Sequence, residues 1–420
     1  MLYRITLCFN YLLYALSFGF PRSKHKWVFG NYVIDQFGDN PKYMLLYVRR
    51  YHPDIRAIWI TRNERNYQEL RKIGLEVYKA HSLPGLYHCL TAGVYLYNTF
   101  PADINYFTSG GALLVNMWHG VGLKTIEFSI TRGSLADCYY RRLRGYRLHM
   151  PWRFKRPDYL LSSSPFQSAP FSKAFRIPQE RCLNFGYPRN DVMVMPEAVR
   201  LELLAKYDHP DTIPYIQKLR KFKKVLIYMP TWRDSPDFLR DLGLDMQRIN
   251  TILRARNELM ILKMHVNTAN IPVEGLSNVW IFPWNLDVYA IFPYTHTLIT
   301  DYSSVLYDYI LLPDKEVILF TFDMKKYLAE REFNYPFLPN VAGLVVEDLE
   351  TFYQTLASCS PLCSMNDIEE IRTRFWGNYN GHAAKKLTVF IKEKLGLAVA
   401  EVEPDPEPVL PKQILDKTSL

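Results

Sequence analysis

Apolar residues in this chain gather into short continuous runs, separated by stretches where they recur every three or four positions. Runs of the first kind suit buried strands, and the second pattern suits amphipathic helices. The pattern predicts strands at Lys26–Gly30, Arg56–Thr61, Gly93–Asn98, Ala112–Trp118, Tyr159–Ser162 and Leu183–Phe185. Between them it predicts helices at Asn40–Tyr51, Asn66–Ile73 and Ser164–Phe175. After a polar, basic stretch near 205–224 a second series begins. Its predicted strands are Val225–Met229, Met260–Met264, Val279–Ile281, Thr297–Thr300 and Val317–Phe320, with helices at Leu239–Arg256, Leu286–Phe292, Ser303–Leu311 and Asp367–Trp376. Strands alternating with helices predict βαβ units and parallel sheets. With 420 residues the chain is too long for one core. The expected fold class is α/β: two Rossmann-like domains facing a cleft, over 26–195 and 196–395, after an N-terminal apolar segment. The last residues, 396–420, include EVEPDPEP and read as disordered.

That apolar segment changes the picture at the N-terminus. Residues 1–20, MLYRITLCFNYLLYALSFGF, are followed at once by Arg22, Lys24, His25 and Lys26. A signal peptide carries its basic residues first, so this order points elsewhere. Arg4, Thr6 and Asn10 interrupt the run, which argues against a spanning helix. Two readings remain: an interfacial anchor over 1–25 whose basic flank faces anionic lipid, or a core helix of the first domain.

Composition is globular, 48% hydrophobic and 22% charged, with 15% aromatic residues. Net charge is +9, and part of it is concentrated. Arg141, Arg142, Arg144, Arg147, Arg153, Lys155 and Arg156 lie within residues 141–156 without an acid among them. Such a patch suits a nucleic acid, an anionic membrane or plain solvent. Cys8, Cys89, Cys138, Cys182, Cys359 and Cys363 are scattered and show no zinc spacing, so they read as reduced thiols.

Open α/β sheets bind ligands beyond the carboxyl ends of their strands, so the residues just past each run are the candidates. The fourth run ends in Trp118-His119-Gly120-Val121-Gly122-Leu123-Lys124-Thr125. An imidazole can exchange a proton near neutral pH, the glycines admit a phosphate, and Lys124 can neutralise it. In the second series, Thr231 and Arg233 follow one strand, and Lys263 and His265 close the next. Asp301, Ser303 and Ser304 follow a third, where a helix start is either a plain N-cap or an anion site. Ser163, Ser164, Arg189, Asn190 and Asp191 end two further strands of the first domain. Two histidines, many phosphate-suited groups and no metal cluster suggest phosphate-ester chemistry without a protein-held metal.

Taken in order, these residues resemble a known family, the bacterial CDP-glycerol glycerophosphotransferases that prime and extend teichoic acids. The resemblance rests on Trp118-His119-Gly120 with Leu123-Lys124-Thr125, Tyr159–Ser164, Gly186–Asp191, Pro230–Asp234, Met264-His265 and Thr300–Ser304, with Trp27–Gly30 and Gly38-Asp39-Asn40 before them. It covers residues 26 to 390. It implies a GT-B-like fold and a CDP-glycerol or CDP-ribitol donor. The implied acceptor is undecaprenyl-linked or polymeric, at the cytoplasmic face of the cell membrane, in teichoic-acid-like or capsular polysaccharide synthesis. It implies no cofactor beyond Mg2+ travelling with the donor, and no nucleic acid partner. The membrane would be met by residues 1–26 and 141–156. The family's two essential histidines correspond to His119 and His265. His119 is then expected as general base, with the Ser, Thr and Arg groups of the second domain on the CDP phosphates. The chain departs from the family pattern at Asn380-Gly381-His382 and Arg331-Glu332-Phe333. Two other readings fit the same residues: a nucleotide-sugar glycosyltransferase on the same fold, and a non-catalytic, membrane-bound polyanion-binding protein.

Overall fold

The computed structural model describes residues 2–31, 36–133, 136–141, 143–231, 242–264, 273–358, 365–377 and 379–399. The chain forms two compact units. The first takes residues up to Gly120, then Thr125–Val192 and the C-terminal helix Ala383–Lys394. The second takes Val121–Lys124 and Met193–Gly377.

The first unit holds seven parallel strands: β1 Ser23–Gly30, β2 Arg56–Thr61, β3 Val77–Lys79, β4 Ala92–Tyr97, β5 Leu113–Asn116, β6 Tyr159–Leu161 and β7 Cys182–Leu183, in the order β3-β2-β1-β4-β5-β6-β7. The second holds six, also parallel: β8 Lys224–Met229, β9 Glu258–Leu262, β10 Val279–Ile281, β11 Thr297–Thr300, β12 Glu316–Phe320 and β13 Leu344–Val346, in the order β10-β9-β8-β11-β12-β13. Both orders reverse direction beside their first strand, the doubly wound Rossmann arrangement. Parallel sheets covered on both faces need continuous apolar strands. β4, AGVYLY, and β9, ELMIL, are buried along their whole length.

Several expected boundaries shift by a few residues. β5 stops at Asn116 rather than Trp118, so His119 stands in the turn beyond the strand. The short edge strands β3 and β13 were not expected. The helix expected at Leu239–Arg256 is described over Met246–Ala255. The tail from residue 400 on lies outside the described residues.

The domain limits are also corrected. Residues 379–395 were expected in the second domain, but the helix Ala383–Lys394 belongs to the first unit. Burial and charge pairing explain it. Lys392, 2% exposed at its side chain, meets Asp54 at 3.0 Å, and Phe390 packs edge-on against Tyr159. Asp191 accepts from Ala383 N at 3.0 Å, Ala384 N at 2.8 Å and the Tyr379 hydroxyl at 2.9 Å. One carboxylate thereby meets two free N–H groups at the start of that helix.

The N-terminal segment is a helix, Leu2–Ser17. No helix among the described residues is long and apolar enough to cross a membrane. One side is docked on the first unit. Tyr14 stacks on Tyr106 at 4.6 Å, the buried Ser17 hydroxyl accepts from Gly110 N at 3.0 Å, and the Tyr11 hydroxyl donates to Leu148 O at 3.0 Å. The other side, Cys8, Phe9, Leu12, Ala15 and Leu16, is exposed, as are Phe18 and Phe20 just after it.

Asp191→Ala should lower stability by about 1–3 kcal/mol, because buried donors lose a charged acceptor. The loss is to be read as a lower midpoint in urea or thermal unfolding.

Candidate functional site

The turn after β5 is held by buried polar groups from three other segments. Trp118 adopts a left-handed backbone, φ +49°, a costly conformation for a bulky residue. Three contacts enforce it. Asn116 Oδ1 accepts from Trp118 N at 2.8 Å, Asn40 Nδ2 donates to Trp118 O at 2.7 Å, and the indole packs edge-on against Phe175 at 4.8 Å. This turns the next residue outward. The His119 ring stacks on the Trp118 indole at 4.1 Å and is exposed.

Behind the ring lies a charged hub. Arg189 donates from Nη1 to Asp39 Oδ1 at 2.8 Å and from Nη2 to His119 O at 2.9 Å. Asn98 Nδ2 donates to Asp39 Oδ2 at 2.9 Å, and Asn40 Oδ1 accepts from Arg189 N at 3.1 Å. The Arg189 and Asp39 side chains are only 5% and 16% exposed, so this pair is shielded from screening. Tyr187 donates its hydroxyl to Gly120 O at 3.0 Å, and Gly120 takes φ +111°, which a side chain would resist.

The protein crowding His119 pushes its pKa down to about 4, while Asp39 opposes the shift and Arg189 adds to it. Water at the exposed ring offsets part of that crowding. The firm consequence is the direction: an imidazole neutral at pH 7, able to take a proton.

Of the other candidates in the first unit, Arg189 joins His119 and Gly120. Ser164, buried, caps the helix Pro165–Phe175 by accepting from Gln167 N at 3.3 Å. Ser163 is also fully buried, and Asn190 sits in the turn with its N–H on Tyr187 O at 2.9 Å. The Asp191 carboxylate accepts from the start of the C-terminal helix.

In the second unit, the buried Asp301 accepts from Thr231 N at 2.8 Å and Tyr302 N at 2.6 Å, drawing the ends of β8 and β11 together. Thr300 supports this by donating its hydroxyl to Met229 O at 2.7 Å. Ser304 takes the N-cap position of a short helix, and the Ser303 hydroxyl accepts from Val305 N at 3.4 Å. The helix that follows, Val305–Tyr309, is five residues long, and Ser304 makes no capping bond. So short a helix sums few peptide dipoles, leaving the two half-buried hydroxyls as the polar groups there. Burial pushes the Lys263 amine below its usual range, and Asp287 partly opposes this. Lys124 belongs to this unit, its ammonium 5.2 Å from the centre of the Tyr327 ring. Arg233 and His265 lie outside the described residues. Among the described residues no group of three or more His, Cys, Asp or Glu side chains could hold a metal ion.

The description "CDP-Glycerol:Poly(glycerophosphate) glycerophosphotransferase" matches residues 12–393. The chain belongs to this family. The glycerophosphotransferase match covers both sheets and makes the protein a transferase. It sets aside the readings as a glycosyltransferase and as a non-catalytic polyanion-binding protein. The chain is 29% identical over 317 residues to the teichoic acid poly(glycerol phosphate) polymerase of Staphylococcus epidermidis, spanning 71% of this chain and 40% of that longer protein. It is 25% identical to the teichoic acid glycerol-phosphate transferase of Staphylococcus aureus, over 84% of this chain and 90% of that one. It is also 25% identical to the teichoic acid ribitol-phosphate primase of Bacillus spizizenii, over 90% and 94%. Among solved structures it resembles a variant of the wall teichoic acid polymerase TagF soaked with CDPG: TM-score 0.73, 26% identity, covering 92% of this chain and 93% of that one.

Asp39, Asn40, Asn116 and Tyr187 support His119 yet carried no assigned role in the sequence. The signal available was position: Asp39 and Asn40 follow β1, the strand beside the sheet's reversal.

In an NMR titration the His119 ring should change charge well below pH 6.5, the ordinary value. Asp39→Asn should lower it further, since Asp39 favours the imidazolium. A transition at or above 6.5 would contradict the described surroundings.

Proposed function

We propose that the protein transfers glycerol phosphate, or ribitol phosphate, from its CDP derivative to a hydroxyl of a lipid-linked or polymeric acceptor. The setting is synthesis of a teichoic-acid-like or capsular polymer at the cytoplasmic face of the cell membrane. The observation that carries the reading is an exposed imidazole, neutral at pH 7, built onto a strand end by buried polar groups in a glycerophosphotransferase.

The acceptor oxygen attacks the phosphorus that bears the polyol. A new P–O bond forms, the bond to the bridging oxygen of CMP breaks, and CMP leaves with the electron pair. His119 takes the proton of the attacking hydroxyl, a role worth roughly 10²–10⁴ in rate. Thr231, Arg233, Lys263, His265, Asp301, Ser303 and Ser304 are proposed around the donor phosphates, with Gly120 and Lys124 from the His119 turn. Their charges and hydroxyls would offset charge developing on the phosphate oxygens. Any Mg2+ is read as arriving with the donor.

Peripheral membrane association is supported by exposed apolar residues on the helix Leu2–Ser17 and by exposed residues of the basic segment. The exposed apolar side of the helix Leu2–Ser17 adjoins the basic segment, since Tyr11 bonds to the carbonyls of Arg147 and Leu148. Arg147, Leu148 and Arg156 are exposed beside it. Apolar side chains next to cations suit the interface of an anionic bilayer.

Purified protein given CDP-glycerol, CDP-ribitol and a short lipid-linked acceptor should release CMP and add one polyol phosphate to the acceptor mass. His119→Ala should lower turnover at least about a hundredfold. Because the base works unprotonated, the wild-type rate should persist at pH 6.5 and fall only at lower pH, as the imidazole takes up a proton. A variant keeping more than about a tenth of the activity would remove the base role.

The chain should float with anionic liposomes. Leu12→Lys with Leu16→Lys removes about 1.5–3 kcal/mol of apolar burial each, weakening partition at least about a hundredfold. Undiminished flotation would refute the contact.

A further inference from the structure

A cleft opens within the first unit beyond the carboxyl ends of β4 and β5, at Tyr97 and Asn116. Every residue that lines it belongs to that unit. It holds about 310 Å³ up to its open mouth, the lower end of the range for small-ligand sites. Tyr97, Asn116 and Phe175 are its buried side, while Arg153 and Lys155 are half-buried and Arg156 is exposed. Asn116 and Phe175 also hold Trp118, so the cleft lies beside the turn that carries His119.

The buried side contains a donor with no acceptor. The Tyr97 hydroxyl is withdrawn from water and makes no hydrogen bond. Asp158 and Asp103 are the acids whose charge it feels, and both are turned to backbone N–H groups. Asp103 accepts from Thr99 N at 2.7 Å and Asn98 N at 3.1 Å, and Asp158 accepts from Leu114 N at 2.8 Å. Nε of Arg153 is likewise buried without a partner, and the guanidinium stands 5.4 Å from the centre of the Phe100 ring. Buried polar groups are normally paired, so two idle donors beside one cleft call for an acceptor that enters it.

Charge narrows what that acceptor is. Arg153, Lys155 and Arg156 line the cleft against one acid among the described residues, Glu127. The Tyr139 hydroxyl donates to the Glu127 carboxylate, and Arg153 attracts it. Positive charge remains in excess, next to an O–H and an N–H donor. An oxyanion with several acceptor oxygens satisfies all of these groups, and phosphate does so with charge-assisted bonds. The rings of Phe100, Phe128 and Phe154 give the carbon skeleton attached to it an apolar wall.

We propose that this cleft binds a phosphate group of the acceptor, with Tyr97 and Arg153 on its oxygens and Lys155 and Arg156 drawing it in. This rests on the reading of the protein as a polyol-phosphate transferase. Two sources offer the same chemistry: the last polyol phosphate of a polymer, and the phosphate that joins a saccharide to its lipid.

The test reads binding first, in the absence of donor. Isothermal titrations at low salt compare wild type, Tyr97→Phe and Lys155→Gln/Arg156→Gln. The probes are a short glycerol phosphate oligomer, a sugar 1-phosphate and, as the phosphate-free control, glycerol. At least one phosphate probe should bind and glycerol should not. Tyr97→Phe should weaken binding about three- to tenfold, the scale of one hydrogen bond. Lys155→Gln/Arg156→Gln should weaken it at least about tenfold, and added salt should shrink that difference. Ligand-free Tyr97→Phe should unfold no earlier than wild type, because its hydroxyl has no bond to lose. In CMP release from CDP-glycerol the same variants should raise the acceptor KM, with donor KM within about twofold, since only acceptor binding is removed. Binding of the oligomer alone assigns the site to the polymer end, and binding of the sugar phosphate alone assigns it to the lipid linkage; either supports phosphate recognition. Phosphate probes that bind no better than glycerol would overturn the proposal, and so would affinities unchanged in both variants. Wild type that binds a phosphate probe yet releases no CMP would instead remove the transferase reading and leave the phosphate site standing.

Discussion

A guanidinium withdrawn from water has to be met by charge and by carbonyl oxygens, and at Arg189 that requirement organises the first unit's functional end. Its side chain is 5% exposed. Leaving such a charge unpaired costs on the order of 3–5 kcal/mol. Asp39 supplies the charge and the His119 carbonyl supplies a second acceptor. Asp39 itself stands at φ +57°, a strained position for a non-glycine residue that Asp tolerates better than most. Asn98 and Asn40 complete the hub, so the ends of β1, β4 and β5 and the turn after β7 converge on one ion pair.

The strain at Trp118 is the local expression of that convergence. Bending a bulky residue into the left-handed region costs on the order of 1–3 kcal/mol. Two hydrogen bonds from buried asparagines and packing against Phe171 and Phe175 can offset it. What the bend achieves is chemical: the indole stays inside while the next ring, His119, faces outward against it. Crowding then keeps that ring uncharged, and the carboxylate of Asp39 limits how far the shift goes.

The second unit solves a similar problem with a different group. Asp301 joins two strand ends by accepting backbone N–H groups from both, so the turn after β8 and the turn after β11 are fixed relative to each other. Asn334 adds a third segment, the loop 122–124, by meeting its carbonyls. In each case a buried or half-buried polar side chain satisfies backbone groups that irregular loops would otherwise leave without partners.

Strand and helix alternation, the parallel sheets and the histidine beyond β5 were legible in the sequence, because burial on both faces forces continuous apolar runs and the polar residues after them stand out. Motif order carried the family as well. Other features were not legible. The C-terminal helix joins the first unit because Asp191, Asp54 and Tyr159 receive it, and those residues lie far from it in sequence. Asp191 read as a possible cleft residue, and its bonds to the start of that helix were not foreseen. The Ser303-Ser304 turn read as either a plain cap or an anion site, and the helix it opens is only five residues long. Apart from Arg189, the supports of His119 went unread for the same reason: Asp39, Asn40 and Asn98 are ordinary polar residues until folding buries them beside one another. Periodicity reports which residues a chain must hide from water. Which polar groups then meet depends on long-range pairing of charges and carbonyls, and only the tertiary structure decides that.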